Sequence, residues 1–279
     1  MARLRKAYAS KGDDNSLSRF VKTDLTYQPG LFAEPKAHRA PTRANRAAME
    51  EGRSIFGGIT AIHDAKNLLV SGHSNAKIGR DVRKGMFKGY WIYTLSFEER
   101  ATCPRTCHHW STCYGNNMPY AQRLDHRDMA ALTSRLETEI NTLLWKRYRS
   151  GVLHAGILVR LHALGDFFSV PYVRFWAAML ALYPRLAIYG YTAHDPQSEI
   201  GKAIAHLKKM YGRRFAIRWS NGKGTKDTTV PVLPGATKVK GAFICPEQLN
   251  LTNGKGQPLL CATCALCWST DKPVAFMEH

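Results

Sequence analysis

Seven cysteines constrain this chain more than any other feature of it. Six lie in two short groups, CPRTCHHWSTC (Cys103, Cys107, Cys113) and CATCALC (Cys261, Cys264, Cys267), with Cys245 standing between them. An odd number packed so tightly is not a disulfide framework, in which cysteines are even in number and pair across a small secreted scaffold. Metal or cluster ligation in a reducing cytoplasm fits better. The first group supplies three thiolates, one short of a closed tetrahedral zinc site or a fully cysteine-ligated [4Fe–4S] cluster. Its fourth position falls to His108, His109, a distant cysteine or an exogenous ligand. The second group has the C-x2-C-x2-C spacing of bacterial ferredoxin loops, and Cys245, separated from it by fifteen residues, supplies a fourth ligand. One or two [4Fe–4S] clusters are expected. Zinc is the alternative, although its sites more often use two separated C-x2-C knuckles.

The chain around these cysteines is large enough to bury a core: 279 residues, 44% of them hydrophobic, build one large α/β domain or a domain with a small appendage. Its longest apolar run, Trp176 to Leu182, is far short of the roughly 18 residues that a membrane span needs. The start MARLRKAYAS has no apolar h-region, so a cytoplasmic protein without a signal peptide and without a membrane partner is expected. Forty basic residues against twenty-one acidic ones leave a net charge of +19, which implies a polyanionic partner. Residues 202 to 240 hold ten Lys or Arg against Asp227, and a second basic run lies at 77 to 88. Lys77, Arg80, Arg83, Lys84, Lys208, Lys209, Arg213 and Arg214 are therefore the candidate contacts to nucleic-acid phosphates. A solvated surface whose charge only aids solubility is the alternative.

Three regions follow from composition. Residues 1–55 mix Arg, Lys, Ala, Pro and Asp with little apolar periodicity and read as a basic N-terminal extension. Residues 56–244 read as an α/β domain, and 245–279 as a small C-terminal cysteine-rich metal module. Within the middle region Lys88 to Ser96 (KGYWIYTLS) is a strand by its aromatic and β-branched content. Met129, Leu132, Leu136, Ile140, Leu143 and Leu144 recur at helical spacing up to Gly151. GILVRLH (156–162), LAIYGYT (186–192), Phe215–Trp219 and Val239–Ile244 are further strands. Ser169 with Pro171 and Ser198 open the helices between them. Strands alternating with helices imply right-handed crossovers and a parallel sheet, with ligands beyond the strands' carboxyl ends. At those ends stand the first cysteine group, Gly165 and Asp166, His194 and Asp195, Ser220 and Asn221, and Cys245.

Other chemistries lack their motifs: there is no phosphate-binding G-x-x-x-x-G-K-[ST], no dinucleotide G-x-G-x-x-G after a strand, no H-E-x-x-H and no G-x-S-x-G. His194 is a candidate general acid or base, the alternative being an ordinary turn histidine. Tyr90, Trp91, Tyr93, Trp110 and Tyr114 either stack on bases or pack in the core.

The layout from Lys88 to Ile244 resembles the radical S-adenosylmethionine superfamily, whose members carry a three-cysteine loop after the first strand of a partial (β/α) barrel. In that superfamily the loop holds a [4Fe–4S] cluster with one open iron. The resemblance implies a partial-barrel fold, S-adenosylmethionine as cofactor, Gly165 and Asp166 (within ALGD) with Ser220 and Asn221 as cofactor contacts, and Asp166 and His194 as catalytic residues. Five residues separate Cys107 from Cys113 here, where the superfamily usually has two. From Asn75 to His279 the chain also resembles a family of phage and mobile-element proteins of obscure function. The shared features are C-P-x-x-C…C-Y, R-x-H-x-x-G-D-F (Arg160 to Phe167), a Y-T strand end and the terminal C-x-x-C-x-x-C. The expected function is an iron–sulfur protein acting on or binding nucleic acid, with radical modification chemistry if it is an enzyme. The alternative is a non-catalytic DNA- or RNA-binding regulator with structural iron–sulfur or zinc sites.

Overall fold

The computed structural model describes residues 43–152, 155–220, 226–233 and 235–277. Most of the expected extension therefore lies outside the described residues, as does Asn221. Of the extension, Arg43–Glu50 forms a helix, α1. The main sheet contains β1 (Val70–Ser71), β2 (Trp91–Leu95), β3 (Ile157–Leu161), β4 (Leu186–Thr192) and β5 (Phe215–Trp219), paired in that order. β1 runs antiparallel to β2, and every other neighbour is parallel. Between the parallel strands run α2 (Met129–Arg149), α3 (Val170–Leu182) and α4 (Glu199–Tyr211). The helix starts follow from capping chemistry. Asp128, Ser169 and Ser198 each accept a hydrogen bond from the backbone N–H three residues on, which satisfies a donor that the helix leaves unpaired. Pro184 cannot continue α3, which ends at Leu182.

Spatially consecutive strands joined by crossovers of one hand place every connecting helix on the same side of the sheet. Accordingly Leu95, Val159, Leu161, Ile188 and Ile217 pack against Leu136 and Ile140 of α2, Trp176 of α3 and Ile204 of α4 in one core. Among the described residues the opposite face has no such helix layer. It is covered by Ile78, Val82 and Phe87 of the segment before β2 and by Ala262, Ala265 and Trp268 of the C-terminal cysteine region, seated on Ile92, Leu158, Ala187 and Tyr189. The protein is thus a mixed α/β fold with a mostly parallel five-stranded sheet.

The C-terminal region contains two single-turn helices, α5 (Cys261–Cys264) and α6 (Leu266–Ser269), and a small parallel sheet of β6 (Thr229–Val232), β7 (Phe243–Ile244) and β8 (Val274–Met277) in the order β6-β8-β7. Of the strand expected over 239–244, only Phe243–Ile244 forms. The small sheet draws strands from both sides of residue 245, so the cysteine region is woven into the chain preceding it.

What fastens this region to the sheet is a buried charge. Arg218 of β5 is 1% exposed. It donates from Nε to the Cys267 carbonyl at 2.9 Å, from Nη1 to the Lys272 carbonyl at 2.9 Å and from Nη2 to the Thr270 carbonyl. The guanidinium finds its partners at the carbonyl end of α6, where the helix leaves acceptors unpaired. Replacing it with Met should strand three carbonyl acceptors, that of Thr270 buried and the other two part-buried, and destabilise the fold by on the order of 3 kcal/mol, read from the urea midpoint. Hydrogen exchange should rise first across residues 261–277, and a variant as stable as the parent would contradict the clamp.

Candidate functional site

The first cysteine group occupies the loop that leaves the carboxyl end of β2, and two buried arginines build that loop. Arg123 and Glu99, each 1% exposed, pair through Nε to Oε2 at 2.8 Å and Nη2 to Oε1 at 3.1 Å. Arg123 also donates to the carbonyls of Gly115, Met118 and Ala121. Arg100 donates to Asn116 Oδ1 at 2.6 Å and to the Trp110 carbonyl at 2.9 Å. From outside, α1 closes on the same loop: the Trp110 indole donates to the Met49 carbonyl at 3.1 Å and Arg105 to the Glu50 carbonyl at 2.7 Å. The thiols of Cys103, Cys107 and Cys113 lie within electrostatic reach of one another and, for the first two, of Asp166. Burial pushes all three thiols up, Cys113 to about 11.

The second group gathers four thiols from two stretches of chain. Cys245 follows β7, Cys261 and Cys264 lie on α5, and Cys267 lies on α6. The Cys264 thiol feels the other three, and burial drives Cys245 up to about 12 and Cys261 to about 11. Between α5 and α6 the chain turns at Ala265 with φ of +63°, a left-handed conformation that costs a residue with a side chain roughly 1–2 kcal/mol. That turn lets two helical turns present cysteines to one space. All seven cysteines are free thiols. Among the described residues no three His, Cys, Asp or Glu side chains stand in ligating geometry, so the two groups are assembled neighbourhoods and not closed ligand shells. By donor chemistry the quartet matches zinc or a four-iron cluster, and the triplet matches a cluster with one position left over.

Arg160 stands between the two groups. It lies on β3, opposite Thr94 of β2 and Tyr189 of β4, with its side chain on the face that carries the cysteine region. Its guanidinium lies 5.8 Å from the ring centroid of Tyr191, and its buried Nε has no hydrogen-bond acceptor among the described residues. Burial opposes its charge, but Tyr189, Tyr114, Tyr191 and Cys261 around it more than compensate. Tyr114 adjoins Cys113, and the Tyr191 hydroxyl donates to Cys267 Sγ at 2.9 Å. Arg160 thus interacts with Cys261 of the second group and with Tyr114 beside Cys113 of the first.

The other expected residues of the strand ends are brought together around Asp166, which is 3% exposed. Its Oδ1 accepts the Phe167 N–H and its Oδ2 the Ala193 N–H, both at 2.7 Å, which ties the end of β3 to the end of β4. Burial raises its pKa. Gly165 has φ of +82°, and a Cβ there would come within 2.5 Å of Thr102 Oγ1, so this glycine lets the β3 loop touch the first cysteine loop. His194 donates from Nε2 to the Phe167 carbonyl at 2.6 Å. The Ser220 N–H donates to the Thr192 carbonyl at 2.7 Å. Beneath them His162, which sequence reasoning passed over, is buried with Nε2 at 3.0 Å from the Tyr172 hydroxyl.

The expected phosphate contacts divide. Lys208 is turned inward onto the Ile217 carbonyl and Asp227, and Arg214 donates to the carbonyls of Leu180, Tyr183 and Leu186. Both serve the fold. Lys77 pairs with Glu247 at 3.1 Å, Arg80 with Asp81 at 3.3 Å and Arg213 with Asp271 at 3.4 Å. Arg83 and Lys209 are exposed and Lys84 is half-buried. Sequence reasoning also missed Glu99, Arg100 and Arg123, because a buried ion pair and a surface one look alike in a string of letters. Arg218 was counted there as surplus surface charge. Its signal was its place inside the apolar strand Phe215–Trp219.

Comparison with known proteins places these features in a family context. The Gene product 88 family profile matches residues 67–270, which include both cysteine groups. The Gene 88 protein of Mycobacterium phage D29 is 30% identical over 137 residues, covering 43% of this chain and 54% of that protein. The chain therefore spans about half the length of the curated relative it matches. No solved structure matches.

The buried histidine sets a pH test. Burial, and then His194, push His162 down to about 3 from 6.5. An unfolded chain takes up the proton first, so this group costs stability as pH falls below 6.5, at up to about 1.4 kcal/mol per pH unit. Asp166 works in the opposite direction, which makes the difference between parent and His162→Gln the informative quantity. The variant's denaturation midpoint should fall less steeply between pH 6.5 and 4. An identical slope in both would contradict a neutral buried His162.

Proposed function

The chain belongs to the Gene product 88 family, and we propose that it is an iron–sulfur protein that acts on or binds nucleic acid. The observation that carries the metal reading is the quartet: two stretches of chain bring Cys245, Cys261, Cys264 and Cys267 into one partly buried neighbourhood, in which the Cys264 thiol feels the other three. Burial keeps Cys245, Cys261 and Cys264 protonated, and a metal that displaced such protons would convert its binding energy into ordering of the chain around it. In this reading the quartet holds a closed cluster and the triplet Cys103, Cys107 and Cys113 holds a second, whose fourth position faces the strand ends near Asp166. Zinc in the quartet is the alternative occupant.

The one-sided helix layer supports reading the sheet as a partial (β/α) barrel, with the cysteine region filling what would be its interior. A cluster with an open iron supplies single electrons to S-adenosylmethionine when both are bound. Gly165, Asp166 and Ser220, with Asn221 outside the described residues, are proposed to line that position. A second reading, a non-catalytic nucleic-acid-binding regulator, is favoured by a specific observation: both Asp166 oxygens and His194 Nε2 are already engaged by backbone groups.

Protein made and kept without oxygen should contain iron and acid-labile sulfide at about four of each per occupied cluster. Cys107→Ala should empty the first site alone and Cys264→Ala the second alone. Stoichiometric zinc with no iron or sulfide would overturn the iron–sulfur reading.

A further inference from the structure

The carboxyl edge of the sheet carries the cysteines, and the opposite edge carries a different chemistry that no motif announced. Helices α2, α3 and α4 run back against the strands, so their C-termini lie at the strands' amino-terminal edge. There Trp145 and Tyr148 are 55% and 66% exposed, unusually high for large aromatic residues. Their rings meet edge to face at 5.7 Å. Their spacing of three residues puts them on one helical face, which Arg149, four residues after Trp145, shares. Lys146 is exposed next to Trp145, and no acidic residue occurs from Asn141 to Gly151; Arg185, just before β4, is also exposed, although its Nη1 donates to the Ala155 carbonyl at 3.4 Å. Arg147 points the other way, donating to the Gly89 carbonyl and covering Trp91 at 4.0 Å, so the turn that presents the two aromatics is anchored from behind.

We propose that this edge binds single-stranded nucleic acid, with bases stacking on Trp145 and Tyr148 and phosphates meeting Lys146, Arg149 and Arg185. Exposed aromatics interleaved with unopposed cations are the recognition chemistry of unpaired strands, whose bases offer π-faces that a duplex hides. The inference rests on the nucleic-acid half of the proposed function and moves its contact surface. The strand docks on the edge away from the cysteine groups, where of the sequence candidates Lys209 in the last turn of α4, Arg213 and Arg214 after it, and Arg83 and Lys84 in the turn before β2 also lie.

The test is fluorescence anisotropy of a labelled oligo-dT strand with the full-length protein over a range of salt concentrations. Trp145→Ala with Tyr148→Ala should weaken binding at least about ten-fold and leave the melting temperature unchanged, because both side chains are exposed. Lys146→Glu with Arg149→Glu should weaken binding and reduce the salt slope by ~0.7 per lost contact. Lys202→Glu with Lys255→Glu, the same change in net charge placed elsewhere, should do neither. Parent protein that binds no strand would overturn the nucleic-acid reading itself. Parent protein that binds while the aromatic variant binds equally well, or a control pair as harmful as Lys146 and Arg149, would overturn the placement alone. So would an aromatic variant that turns a dimer into a monomer without nucleic acid, since the face would then be a contact between copies.

Discussion

A parallel sheet built from consecutive right-handed crossovers has its helices on one face only, and everything distinctive in this protein follows from how the other face is covered. A bare sheet face exposes Ile92, Leu158, Ala187 and Tyr189 to water, so some part of the chain has to lie on it. Here the covering is the cysteine-bearing C-terminal region, and it arrives with a buried guanidinium, Arg218, bonded to three of its carbonyls. Trp268 packs edge to face on Tyr189 at 4.7 Å in the same layer. The second cysteine group is consequently part of the core's closure, so any proposed ligand there would act on the stability of the sheet.

That arrangement also explains why the two cysteine groups approach each other although some 130 residues separate them in sequence. The first hangs from the carboxyl end of β2, the second lies on the sheet face, and Arg160 on the neighbouring β3 reaches both through Tyr114 on one side and Tyr191 on the other. The surrounding Tyr189, Tyr114, Tyr191 and Cys261 already favour this cation, and if the thiols held a metal it would also offset the negative charge of the ligated sulfurs. Meanwhile the buried Arg123–Glu99 pair and Arg100 hold the first loop in shape, so its three thiols depend on charges that never reach solvent.

Much of the scaffold was legible in the sequence. Aromatic, β-branched and apolar runs located the four parallel strands and helical spacing the long helices between them, and Ser169 and Ser198 marked two helix starts because a cap is local chemistry. The grouping of Cys245 with the terminal triplet was also readable from spacing. What the letters concealed is long-range. Lys208, Arg214 and Arg218 look like surface charge and are spent on carbonyls and on Asp227, because a basic residue in an apolar strand or at a strand's entry satisfies backbone acceptors before it meets solvent. Conversely Trp145 and Tyr148 sit in a helix whose periodicity suggests nothing unusual, and they are exposed on one face of a turn whose Arg147 is buried. Among the described residues no helix is long and apolar enough to cross a membrane.

The central claim is that the two cysteine groups hold reducible clusters on either side of Arg160. A redox titration of anaerobically purified protein, followed by visible absorption and electron paramagnetic resonance and repeated with Arg160→Gln, tests it most directly. Two reducible signals are predicted, and removing the shared positive charge should move both to more negative potentials without loss of iron. A protein with no reducible chromophore, or two signals unmoved by the substitution, would contradict the account.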